Sequence, residues 1–243
     1  SHGPAKVRAV AREATLDPDS ACAHLGGIVA DRRIPFHDRM AAVAEAARPL
    51  APHRRTDLYG RLAAGDGATP AQRDAAVAAT TAIDAAEGRK LCEELARHRD
   101  LAADERLRFA DRAGRDRALA LVREFARDNG EDGVTRVAAA RRAASTGGTE
   151  DRLYLRTLAA TPSVPYALRE GLIGDLSPAD RIAVLRTIAE SVAETGEDRL
   201  AGAIALGGLD PDGAAAKLRA LAEDRGVTSS VRARARDAER RLR

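Results

Sequence analysis

Arginines at a regular interval are the residues whose spacing most readily suggests chemistry. Each of seven arginines follows, by 10 or 11 positions, an apolar residue that is itself followed by Ala, as Arg106 follows Leu95-Ala96. We call these seven the ladder arginines: Arg39, Arg73, Arg106, Arg136, Arg169, Arg199 and Arg232. Guanidinium groups at a fixed interval could bind the phosphates of a nucleic-acid strand. Because the arginine recurs along the whole chain, stacking of repeated units explains it better, and we predict a structural ladder.

Other arginines are candidates for binding a partner. Arg112, Arg141 and Arg142 lie five or six residues after a ladder position, where most other repeats carry uncharged or acidic residues. A basic group there would suit an acidic protein segment as well as phosphates. A second basic group lies near the C terminus and comprises Arg234, Arg236, Arg240 and Arg241. Residues 225–243 hold seven arginines and two acidic residues, although the whole chain has a formal net charge of only +3.

Two aromatic residues, Phe36 and Tyr166, are further candidates for contact with a partner. Each lies three residues before a ladder arginine, at the start of a predicted helix, where its ring can reach a binding surface. Aromatic residues make up only 2% of the chain and Trp is absent. Unpaired bases usually stack on aromatic rings, and base-excision enzymes use them around the flipped base, so the composition disfavours both functions. The other four aromatics are predicted core residues: Tyr59, Phe109, Phe125 and Tyr154.

Histidine and cysteine give no clear signal for a metal, a cofactor or catalysis. The histidines form no pair four residues apart and no HExxH motif. Cys22, His24 and His37 fall in one repeat and could converge on a metal, but a buried thiol and surface imidazoles are the simpler interpretation. Cys22 and Cys92 are expected to lie too far apart for a disulfide. We therefore predict no catalytic residue, no metal and no cofactor.

The elements that position these residues form an internal repeat. The apolar-Ala pairs recur at steps of 30 or 33 residues. They are Val29-Ala30, Leu62-Ala63, Leu95-Ala96, Phe125-Ala126, Leu158-Ala159, Ile188-Ala189 and Leu221-Ala222. Between them the apolar residues have helical spacing, and clusters of Gly, Pro, Asp and Thr mark turns. A repeat of this length with two helices must stack on its neighbours to bury its apolar face, so the sequence predicts an all-α array of about seven helix pairs.

Domain boundaries follow from this period. Residues 1–4 resemble an expression-tag remnant, and residues 5–243 are predicted to form a single solenoid. Within it, residues 5–16 are predicted to be an N-terminal half-repeat, either a natural cap helix or the cut end of a longer array. Residues 225–243 are predicted to be a basic C-terminal cap helix. Since no signal peptide or long apolar run is present, we expect a cytoplasmic protein without a membrane span.

The repeated text resembles bacterial HEAT-like repeats, including those of the bilin-lyase type, over nearly the whole chain. The likeness lies in an apolar-Ala pair that ends the first helix, an acidic turn, and text such as VTRVAAA at 134–140, DRLA at 198–201 and VRARA at 231–235. The resemblance implies an armadillo-type, right-handed α-α superhelix whose concave face is lined by second helices. It also implies that the ladder arginine pairs with an acidic turn residue. No activity follows from it, because this architecture serves many unrelated partners.

One repeat departs from the pattern. The acidic turn position is occupied by Asp31, Asp66, Asp128 and Asp224, but the corresponding turn around residues 161–163 has no acid. We therefore expect looser stacking, a kink or a side pocket near Pro165 and Tyr166.

Two classes of function remain open. The first is a non-catalytic scaffold that binds a protein partner in the concave groove, alone or as the sensing or regulatory domain of a larger system. The alternative is a nucleic-acid-binding solenoid, DNA-glycosylase-like or a DNA- or RNA-binding accessory protein, that uses the C-terminal arginines and the central group at Arg112, Arg141 and Arg142. An enzyme or lyase-type accessory factor rests on the family analogy alone.

Overall fold

Helices joined by short turns make up the part of the chain that the structure describes. The computed structural model describes residues 4–242, with side chains from residue 9 onward. These residues form fifteen α-helices and no strand, which confirms the predicted all-α class. Residues 1–3 of the predicted tag remnant and the final Arg243 lie outside the described residues.

A single helix, α1 (Pro4–Leu16), precedes seven helix pairs. The first helices of the pairs are α2 (Pro18–Ala30), α4 (Pro52–Ala64), α6 (Ala85–Arg97), α8 (Arg115–Arg127), α10 (Thr149–Ala159), α12 (Pro178–Glu190) and α14 (Pro211–Glu223). The second helices are α3 (Phe36–Ala46), α5 (Pro70–Ile83), α7 (Ala103–Arg112), α9 (Gly133–Thr146), α11 (Tyr166–Asp175), α13 (Gly196–Leu206) and α15 (Ser229–Leu242). Each apolar-Ala pair lies in the last turns of a first helix.

Local capping residues determine where several helices begin. Thr69 accepts a hydrogen bond from the Gln72 N–H at 3.3 Å, and the Gln72 side chain accepts one from the Thr69 N–H at 2.9 Å. This capping box satisfies two donors that a helix N-terminus otherwise leaves unpaired. The side chains of Ser177 and Asp210 accept hydrogen bonds from the N–H groups of Asp180 and Gly213 and cap α12 and α14, each before a proline at the first helical position.

The chain divides into two compact units, residues 1–121 and 122–243, and the division falls within α8. In the N-terminal unit the first helices α2, α4 and α6 pack in succession, and α1 packs against α2 and α3. In the C-terminal unit α10, α12 and α14 form one row, while α9 packs on α11 and α13 on α15. Each unit thus contains a row of first helices, with second helices packed against it. A single superhelix through both units stays a prediction.

The core is built mainly from Leu, Val and Ala. The residues that define the repeat are buried in every pair except Ala30, and Leu58, Ala63 and Leu172 are examples of core positions with no exposed surface. Small alanines allow helices to approach closely, which suits thin layers.

The predicted C-terminal cap helix begins later than expected. Its first residue is Ser229 rather than Arg225, because Thr228 accepts a hydrogen bond from the Val231 N–H at 3.3 Å and caps the helix there. Residues 225–228 belong to the preceding turn.

Candidate binding surface

The ladder arginines lie in or near the first turn of each second helix and reach back to the helix before it. Arg39 Nη1 donates to the Val29 carbonyl at 2.8 Å, and Arg106 Nε donates to the Ala96 carbonyl at 2.8 Å. Arg136 and Arg199 make longer bonds of the same kind, at 3.5 and 3.4 Å, to the carbonyls of Ala126 and Ala189. The last carbonyls of a helix have no partner within it. The arginine satisfies one of them, which explains the spacing of 10 or 11 residues from the apolar-Ala pair.

Several ladder arginines also bind an acidic residue of the next repeat. Arg199 Nη1 lies 2.7 Å from Asp224 Oδ2, and Arg73 Nη1 lies 3.3 Å from Glu105 Oε1. Arg169 donates to both carboxylate oxygens of Glu194, at 2.5 and 2.7 Å. The last ladder arginine, Arg232, donates instead to the Val227 carbonyl in its own turn. The guanidinium groups are therefore directed into the helix layers and not along an open groove.

The two candidate aromatic residues lie beneath the ladder arginines. The Arg39 guanidinium carbon is 5.5 Å from the centroid of Phe36, and that of Arg169 is 5.6 Å from the centroid of Tyr166. Phe36 is only 9% exposed, so its ring is not offered to a partner as we had expected. Tyr166 is half-buried, and this burial raises the pKa of its hydroxyl. Each ring therefore makes a cation–π contact with the guanidinium group of its ladder arginine.

Two of the three arginines in the central basic group are paired with carboxylates. In the N-terminal unit, Arg112 Nη1 lies 2.6 Å from Asp74 Oδ1. In the C-terminal unit, Arg141 on α9 binds Asp175 on α11 through two hydrogen bonds of 2.6 and 3.2 Å. The hydrogen bond to Asp175 raises the pKa of Arg141. Arg142 is exposed beside it.

The C-terminal arginines differ in their surroundings. Arg234 on α15 lies 2.6 Å from Glu197 on α13, and Arg240 is paired with Asp237. Arg236 donates to the Ala222 carbonyl at 3.3 Å. Arg241 is exposed and has no ion-pair partner among residues 4–242.

Sequence reasoning missed a second set of ion pairs, on the first helices. Arg156 lies 2.9 Å from Asp180, and Arg186 lies 2.6 Å from Asp210. The signal was available, because the two arginines are 30 residues apart and so are the two aspartates. These pairs join α10 to α12 and α12 to the N-cap of α14.

Surface cavities occur between neighbouring helices. A depression of about 370 Å³ lies beside the acid-free turn, with Thr161, Pro162, Ala183 and Thr187 among its lining residues, while Pro165 and Tyr166 are not among them. A more polar groove of about 470 Å³ lies mainly between α4 and α6, with His53, Arg61, Lys90 and Glu94 among its lining residues. We call the third, of about 270 Å³, the α13–α15 pocket. It is lined by Ile204, Leu218, Arg234, Asp237, Ala238, Arg241 and Leu242.

Cys22, His24 and His37, which the sequence placed in one repeat, are not gathered into a metal site in the described part of the chain. His24 Nδ1 lies 2.7 Å from Glu13 Oε2, and His37 Nε2 lies 3.1 Å from Asp38 Oδ1. Cys22 and Cys92 are free, and burial raises the pKa of the Cys92 thiol. Within the described part of the chain, no group of three or more His, Cys, Asp and Glu side chains is arranged to hold a metal ion.

Comparison with protein-family models, curated proteins and solved structures finds no match. Across the described residues, every helix is too short or too polar to traverse a bilayer.

Proposed function

We propose that this chain is a non-catalytic helical-repeat protein that binds a protein partner on its second helices. In the C-terminal unit the relevant surface is the second-helix row, which we define as α9, α11, α13 and α15. The observation that carries the proposal is that charges along this row are largely paired, while an apolar pocket remains open on it. Arg141 and Asp175 link α9 to α11, and Glu197 and Arg234 link α13 to α15. Ile204 on α13, which lines this pocket with Arg234, is 48% exposed.

This combination suits a protein better than a nucleic acid. Phosphate binding needs cations that are free to neutralise phosphates and so release the counterions condensed on the nucleic acid. Here Arg112, Arg141, Arg234 and Arg240 already face carboxylates. Protein interfaces instead combine an apolar centre with a polar, charged rim, which the α13–α15 pocket and its surroundings provide.

The proposal is tested by capturing partners from a lysate of the source organism and measuring their affinity for a truncation series. One variant ends at Asp210, which removes α14 and α15, and a second ends at Ser177, which also removes α12 and α13. Because contact is distributed over successive repeats, affinity should fall in steps. Circular dichroism checks that each truncated chain stays helical. Complete loss of binding from one exposed substitution, with no stepwise loss on truncation, would contradict distributed binding.

A further inference from the structure

The α13–α15 pocket has an apolar interior. Leu218 of α14 is fully buried at its base, Ala238 and Leu242 of α15 are partly buried, and Ile204 of α13 is exposed at its edge. The close fit of Leu242 depends on Gly207, since a Cβ at that position would lie 3.0 Å from Leu242 Cδ2. A volume of about 270 Å³ is several times that of one water molecule, which occupies about 30 Å³. One branched aliphatic side chain can therefore enter it.

The charged residues at the pocket differ in whether they are already neutralised. Arg234 faces Glu197 at 2.6 Å, and Asp237 is paired with Arg240. Arg241, on the same helix face as Asp237 and Ala238, has no carboxylate partner within residues 4–242. A planar guanidinium with free donors binds a carboxylate through two parallel hydrogen bonds. The pocket thus presents one available cation beside an aliphatic interior.

We propose that the α13–α15 pocket binds a short acidic segment of a protein partner, with an aliphatic side chain in the pocket and a neighbouring carboxylate on Arg241. This inference rests on the proposed function and specifies the chemistry of the partner. An aliphatic pocket offers no aromatic ring on which a base could stack. A phosphate could contact Arg241 but would leave Ile204 and the pocket interior uncovered. Only a segment with both groups satisfies the apolar and the charged parts together.

The experiment is selection of a phage-displayed library of random dodecapeptides against the full chain, followed by affinity measurements with the enriched peptides. We expect enriched peptides to carry Leu, Ile or Val next to Asp or Glu. Ile204→Asp and Arg241→Glu should each weaken their binding at least tenfold. Arg152→Glu is the matched control, because Arg152 is an exposed arginine on the first helix α10, and this variant should bind as the wild type does. All three positions are exposed, so the variants should fold, which thermal unfolding checks.

Each other result overturns the proposal in a different way. Enriched peptides whose affinity is unchanged by Ile204→Asp and Arg241→Glu would show protein binding elsewhere, which leaves the proposed function intact and removes the pocket. Enrichment of basic or purely polar peptides would contradict the stated chemistry. Failure to enrich any peptide, together with duplex DNA binding that Arg241→Glu abolishes, would overturn both the pocket and the proposed function.

Discussion

At the residue scale, Glu194 shows how one substitution within the repeat changes the interior. It lies five residues before Arg199, a position that is acidic before Arg136, at Glu131, and apolar before the other five ladder arginines, at Ile34, Ala68, Leu101, Val164 and Val227. Glu194 receives both hydrogen bonds from Arg169, and the two side chains are 1% and 0% exposed. Sequence reasoning identified the ladder position of Arg169 from its spacing. It did not identify Glu194, because the expected partner was an acid at the start of the turn.

The first prediction concerns this buried ion pair. Arg169→Met alone leaves the Glu194 carboxylate buried without a partner, which should cost about 3–5 kcal/mol of unfolding free energy. Glu194→Val alone should cost a similar amount by leaving the guanidinium unpaired. The double variant replaces both buried charges by apolar side chains, and should lie within about 2 kcal/mol of the wild type. Urea unfolding measures all three.

Arg199→Met provides the matched control, because Arg199 and Asp224 are 15% and 32% exposed and water can solvate the remaining charge. It should cost less than Arg169→Met. If the unfolding free energy lost in the double variant equals the sum of the losses in the two single variants, packing and not charge accounts for the loss.

The second prediction concerns pH. Asp151 is 2% exposed and accepts hydrogen bonds from Arg123 Nε at 2.8 Å and Nη2 at 2.7 Å. The hydrogen bonds from Arg123 lower the pKa of Asp151. Because the folded-state pKa is lower than the unfolded one, ionised Asp151 stabilises the fold above the ordinary range of aspartate, and this contribution disappears as pH falls through the folded-state pKa.

Asp151→Asn should therefore cost about 1–2 kcal/mol near pH 7. The difference between wild type and variant should shrink as the pH is lowered below about 4, the ordinary aspartate range. Urea unfolding at a series of pH values measures it. A difference that stays constant from pH 7 down to the acid transition would show that ionisation of Asp151 does not stabilise the fold.

At the element scale, much of the helix pattern could be predicted because local chemistry decides it. Thr69, Ser177 and Asp210 cap their own helices, and each apolar-Ala pair ends a first helix. What could not be predicted depends on how helices approach one another. The contact between α5 and α6 is an example, because it requires Gly88 to lie against Thr81.

The third prediction tests this approach. A Cβ on Gly88 would lie 2.8 Å from the Thr81 Cα, a backbone atom that cannot move away easily. Gly88→Ala should therefore destabilise the chain by about 1–3 kcal/mol despite the better helix propensity of Ala. Gly27 of α2 is the control, because a Cβ there meets nothing within 4 Å. Gly27→Ala should stabilise by about 0.5–1 kcal/mol. Thermal and urea unfolding measure both variants. If the two substitutions changed the unfolding free energy in the same direction, the result would contradict this account.

At the scale of the whole molecule, the period predicted the number and order of helices but not the α13–α15 pocket. Seven helix pairs after one leading helix follow from spacing alone. The α13–α15 pocket does not, because Ile204, Leu218 and Arg241 come from three helices and their combination recurs in no other repeat. The same limit applies to charge. The sequence contains many arginines, but only their contacts distinguish neutralised cations from available ones.

The fourth prediction separates the two classes of partner. Fluorescence anisotropy of labelled duplex DNA, single-stranded DNA and RNA should detect no tight binding by the full chain at about 50 mM salt. Phosphate-driven binding would weaken by orders of magnitude between about 50 and 200 mM salt. If such binding occurred and was lost when Arg234, Arg236, Arg240 and Arg241 were changed together to Gln, the C-terminal helix would be a nucleic-acid contact and the protein-binding account would be wrong.

The most direct test of the central claim is hydrogen–deuterium exchange of the full chain with and without its captured protein partner. We expect the partner to slow exchange in α11, α13 and α15, with the largest effect around Ile204 and Arg241, and to leave α10, α12 and α14 unchanged. Slower exchange confined to those first helices would contradict binding on the second-helix row.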